Sequence, residues 1–209
     1  ETAWNLQYKL STDTSWTSIN TTTNSYTLTG LTNSSIYNVK VKAVCSPTDG
    51  SLWSNIINFN TRCDIISSFP YTESFDNYGS VAGVFPTCWY RPIIYSTYPK
   101  TSVSSSRIHS APASLEIHSE STAKPTYAIT PQLGENIHSL RVKFWIMPES
   151  LTSSGTMQVG VMSNPSDTST FELVQTIQPT TTSYSQYEVQ FTNTALTGSN
   201  NYIAFRQKT

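Results

Sequence analysis

Apolar and polar side chains alternate from the start of the chain. Trp4, Leu6, Tyr8 and Leu10 fall on one face of an extended segment and Asn5, Gln7 and Lys9 on the other, the period of two that marks a half-buried strand. Short strands are predicted over 16–19 and over 26–31, where Tyr26, Leu28 and Gly30 alternate against Thr27 and Thr29. Tyr37, Val39, Val41, Ala43 and Cys45 then line one face of a longer strand, with Asn38, Lys40 and Lys42 on the other. A Pro-Thr-Asp-Gly turn at 47–50 and a strand over 56–61 close this first block. The next thirty or so residues, 62–92, are irregular and rich in Pro, Gly and aromatics. Strands resume over 113–118, 127–129, 140–147, 157–162, 171–177, 187–192 and 202–206, with Leu140, Val142, Phe144 and Ile146 inward. No stretch combines helical period with caps. The pattern predicts an all-β chain of two β-sandwich domains, 1–62 and 63–209.

Composition narrows the partners. Charged residues make up 12% of the 209, about half the usual share, and the net charge is −1. Such a chain has no electrostatic footprint for nucleic acid or an anionic membrane. No apolar run approaches the roughly 18–20 residues that span a bilayer, so no direct membrane insertion is expected from these residues.

The cysteines are Cys45, Cys63 and Cys88, in a spacing that matches no zinc or redox motif. Cys45 ends the strand 37–45, and Cys63 follows the next, antiparallel strand, so the two lie at opposite poles. Eight residues of strand put them roughly 25 Å apart, far outside the ~7 Å Cα reach of a disulfide. A Cys63–Cys88 bridge is feasible, because both sit in the irregular stretch between the two strand-rich blocks. An extracellular chain would then keep Cys45 for a partner outside this sequence. Three reduced, buried thiols are the alternative.

The segments SYTLTGLTNSSIYNVKVKAVC and LWSNIINFNT resemble the second half of a fibronectin type III domain. Leu31-x5-Tyr37 resembles its tyrosine corner, in which the Tyr37 hydroxyl bonds back to the backbone near Leu31, and Trp53-Ser54 with Phe59-x-Thr61 resembles its last strand. The resemblance implies that the first strands of that fold are missing from 1–62. Further on, ESFD (73–76), P-x-CW (86–89), SLEI (114–117), LRVKFWI (140–146) and NYIAFR (201–206) resemble the MAM-like jelly rolls of bacterial surface proteins, the cleaved-adhesin and choice-of-anchor type. This implies a jelly roll over 63–209 without its last strand, on a bacterial surface or secreted. It also implies a structural Ca²⁺ at Asp76, with Glu73 and Asn77 as secondary ligands; a plain turn cap is the other reading of Asp76.

Trp89, Tyr90, Tyr95 and Tyr98 cluster within ten residues, and exposed rings of this kind stack on sugars. Trp89, beside Cys88, is read as packing over the bridge, which leaves Tyr90, Tyr95 and Tyr98 as ligand-binding candidates. Glu116, His118 and Glu120 share one strand face but lack a third clear metal ligand and read as a solvated face; His109 and His138 have no comparable company. There is no G-x-S-x-G elbow, HExxH or phosphate loop, and Glu73 and Asp76 are near in sequence without being opposed across a cleft. The expected function is therefore a non-catalytic adhesion or carbohydrate-binding module whose partner is a glycan or a host or surface protein. Ancillary domains of a larger secreted peptidase or glycoside hydrolase, or a purely structural spacer, are the alternatives.

Overall fold

The computed structural model describes residues 3–46, 49–78, 83–92, 98–102, 107–119, 125–152, 155–193, 195–196 and 199–208. The chain divides into two compact units, Glu1–Asp64 and Ile65–Thr209, and both are built from antiparallel strands. Among the described residues only three short 3-10 helices occur, and no helix is long and apolar enough to cross a membrane.

The first unit is one five-stranded sheet: β1 (Ala3–Leu10), β2 (Thr17–Thr21), β3 (Ile36–Ser46), β4 (Asp49–Gly50) and β5 (Ile57–Asn60). β1 lies between β2 and β3, and β4 and β5 share the far edge of β3. The register places Leu6 opposite both Ile19 and Val41, so the apolar positions of three strands meet on one face, as their alternation requires. Between β4 and β5 the edge of β3 is held by two serines. Ser51 and Ser54 donate their backbone N–H groups to the carbonyls of Ala43 and Val41, and their hydroxyls accept from the N–H groups of those same residues.

The segment 26–31 is not a strand, against the sequence expectation. It pairs with no neighbour, and Gly30, at a φ of 71°, turns the backbone out of the extended region near its end. The bond expected of Tyr37 is present: the N–H of Thr32 donates to its hydroxyl at 3.0 Å, one residue beyond Leu31. Its ring is 6% exposed, between Tyr8 at 6.2 Å and Phe59 at 5.8 Å. Tyr37→Phe keeps those ring contacts and orphans the Thr32 donor, so it should cost the first unit about 1 kcal/mol in denaturant melts.

The polar face of this sheet carries a ladder. Trp16 lies between the ammonium groups of Lys9 (5.3 Å) and Lys40 (4.4 Å), and Trp53 between those of Lys40 (4.7 Å) and Lys42 (5.2 Å). Each of these indoles is thus engaged by two lysine ammonium groups.

The second unit holds β6 (Lys100–Ser102), β7 (Ser114–Glu116), β8 (Thr126–Ile129), β9 (Arg141–Ile146), β10 (Thr156–Met162), β11 (Glu172–Ile177), β12 (Ser185–Gln190) and β13 (Tyr202–Lys208). β11, β10, β13 and β8 form a four-stranded sheet, β12 and β9 a ribbon, and β6 and β7 a second ribbon. The large sheet is apolar on both faces. From one, Val159, Val161 and Ile203 pack with Val189 and Phe191, and with the inward-facing Val142, Phe144 and Ile146 of β9. On the other, Met162, Ala204, Tyr127 and Ile129 meet Tyr90, Phe171 and Tyr202. This double burial explains why 157–162 reads as a near-continuous apolar run. β6 carries no sequence signal of its own; three residues are too few for alternation to register.

Candidate functional site

Cys63 and Cys88 are joined by a disulfide, and Cys45 is a free, exposed thiol. A thiol-directed reagent applied to the non-reduced protein should therefore modify one cysteine, Cys45. Peptide mapping checks this: labelled Cys63 or Cys88 would contradict the bridge. Trp89, next to the bridge, packs edge-on to Phe75 at 5.5 Å and stacks on Phe205 at 6.5 Å.

Asp76 opens the 3-10 helix Asp76–Tyr78, immediately after Phe75 at a φ of 62°. Asp76 and Asn77 are exposed, with side chains free of hydrogen bonds among the described residues. Glu73 is committed elsewhere: one carboxylate oxygen accepts the Phe75 N–H at 2.7 Å, and the other faces the Tyr71 hydroxyl at 3.4 Å. Burial, then the Glu73 carboxylate, push the Tyr71 hydroxyl above its ordinary pKa, while the Trp89 indole works the other way. A calcium ion needs six to eight oxygens. Asp76 and Asn77 are the only free side chains of the expected three, and no trio of His, Cys, Asp and Glu that could hold a metal stands together among the described residues.

The aromatic candidates separate by environment. Tyr90 is half-buried; its backbone exchanges hydrogen bonds with Ile129 at 2.9 and 3.0 Å, and its ring meets Tyr202 edge-on at 5.7 Å. Its position prolongs the large sheet beyond β8, which makes it a packing residue. Tyr98 is half-buried, with its ring 5.2 Å from that of His118 and the Lys100 ammonium 4.3 Å from its centroid. Tyr95 lies outside the described residues, as does Glu120. Glu116 faces the Arg107 guanidinium at 3.7 Å, in keeping with a solvated ionic face.

A further aromatic group stands on the outer face of the β9–β12 ribbon. β9 alternates strictly, so its outward positions are Arg141, Lys143 and Trp145. Trp145 is 46% exposed, and His109 stacks on it at 4.2 Å with an interplanar angle of 22°. Tyr184 meets His109 edge-on at 5.2 Å and donates its hydroxyl to the Arg107 carbonyl at 2.8 Å, which also accepts from the Ser114 hydroxyl at 2.7 Å. Burial raises the Tyr184 pKa, and the hydrogen bond with Ser114 opposes the rise. Three rings from three separate segments thus converge. Arg107 also pairs with Glu149 at 2.7 Å, and Glu188 bridges Lys143 at 3.2 Å and Arg141 at 3.6 Å. At the other end of the ribbon, His138, Ser139, Leu140, Arg141, Gln190 and Thr192 line a shallow depression of about 290 Å³.

Among solved structures the chain is similar to the K2 cleaved adhesin domain of Lys-gingipain, at 15% identity and a TM-score of 0.50, over 66% of this chain and 88% of that one. It is also similar to the K1 and K3 cleaved adhesin domains of Lys-gingipain from Porphyromonas gingivalis. Both are 18% identical, with TM-scores of 0.49 over 65% of this chain and 86% of that one for K1, and 0.39 over 66% and 86% for K3. The likeness is one of fold. Its extent exceeds what the first unit, under a third of the chain, can supply, so it draws on the second. No family model matches the sequence, and no curated protein matches it.

Proposed function

We propose that this chain is a non-catalytic adhesion module of a bacterial surface or secreted protein, which engages a glycan or a surface protein. The observation that carries the reading is the shared fold with the K2 cleaved adhesin domain of Lys-gingipain. The Cys63–Cys88 bridge supports it, because disulfides persist in oxidising, extracellular compartments. That neighbour is itself one domain of Lys-gingipain, which favours as a second reading an ancillary adhesion part of a larger secreted enzyme. Both readings ask the same of these residues: to bind without turning their ligand over.

Beads coated with the chain test this while the ligand is still unidentified. Retention on epithelial cell layers under flow, above that of albumin-coated beads and competed by free chain, is the expected result. Retention no better than albumin on epithelial, erythrocyte and bacterial surfaces alike would overturn it.

A further inference from the structure

We infer that Trp145, with His109 and Tyr184, is a stacking platform for a pyranose ring of a neutral glycan. The inference rests on the adhesion reading above and gives it a site.

An indole on the polar face of a strand, 46% exposed, is a place where water is held against a flat apolar surface. His109 covers part of it and, with Tyr184, fixes its surroundings: the Tyr184 and Ser114 hydroxyls both donate to the Arg107 carbonyl, two residues before His109. A ring held in this way loses little conformational freedom when a ligand arrives.

The size and charge of the patch select the occupant. Trp145 offers on the order of 100 Å² for burial, whereas a stable protein interface takes about 800 Å² from each partner. That suits a small ring over a protein face. The ionic groups around it are mutually satisfied: Arg107 faces Glu116 and Glu149, while Arg141 and Lys143 face Glu188, three cations against three carboxylates. Such a face does not select for a charged ligand. It does supply the polar rim that sugar hydroxyls need, since Glu149 and Arg107 keep 66% and 45% of their side chains exposed and Gln186 is the exposed cross-strand neighbour of Trp145. A pyranose matches both demands, with C–H groups for the indole and hydroxyls for the rim.

The test is a titration of the full chain with lactose, N-acetyllactosamine, cellotriose, maltotriose and mannotriose, followed by the indole N–H resonances in ¹H–¹⁵N spectra. The expected result is a saturable shift of the Trp145 indole with at least one of them. Affinity should fall about tenfold or more in Trp145→Ala and recover in part in Trp145→Phe, with an unchanged melting temperature in both. Assigning the Trp145 resonance in the unaltered protein keeps the test valid even if a variant folds poorly. If no glycan of the panel moves that resonance, or if binding survives Trp145→Ala, the inference is overturned. Bead retention persisting alongside that failure would leave the adhesion reading standing; loss of both would remove both.

Discussion

Phe191→Ala should lower the stability of the second unit by about 3–5 kcal/mol, the cost of emptying a fully enclosed aromatic site. Phe191 is 0% exposed and belongs to the same buried cluster as Leu133, Ile137, Val189, Leu196 and Ile203, so its removal leaves a void inside that core. Its carbonyl also lies 2.9 Å from His138 Nδ1, which fixes the backbone there and limits collapse into the gap. For a unit of this size the melting temperature should drop by roughly 10–15 °C in calorimetry. A drop of only a degree or two would show that this core is not packed as described.

Gly160→Ala should cost about 3 kcal/mol through the opposite fault, too much volume. A Cβ at Gly160 would run into the Glu172 carbonyl oxygen and stand 2.5 Å from the Phe171 ring. The backbone oxygen cannot swing aside, because β10 and β11 are paired there and the register already shifts between Val159 and Gly160. The ring is pinned too: the Arg206 guanidinium lies 3.9 Å from its centroid, with its Nε donating to Gln158 Oε1 at 2.7 Å. Denaturant melts would measure the loss, and a change below about 0.5 kcal/mol, the usual scatter of surface substitutions, would contradict the close approach.

Much of this fold is legible in alternation alone, because a strand with one buried face repeats every two residues. That logic places Leu140, Val142, Phe144 and Ile146 against the core, where the structure has them. It also locates the long strand that carries Tyr37, and strand polarity is enough to separate Cys45 from Cys63 and leave Cys63 for Cys88. Alternation fails at 26–31, since period two reports one-sided burial and not a ladder partner. The site is harder to read. Parity could find Trp145, as a large ring at an outward position beyond Lys143, but residues 144–146 read as a short apolar run that hides it. His109 and Tyr184 carry no such signal, because their meeting depends on tertiary contacts between distant segments. The clustering of Trp89, Tyr90, Tyr95 and Tyr98 in sequence, by contrast, says little about shared exposure: Tyr90 is spent on sheet packing.

Whether these residues bind their ligand without transforming it is measured by surface plasmon resonance of the oxidised chain over immobilised glycans and surface glycoproteins. Saturable, reversible binding to at least one surface is expected, with the baseline returning to its starting mass after each cycle. A baseline that falls with each injection, as ligand is cut from the chip, would contradict it, and so would the absence of binding to every surface.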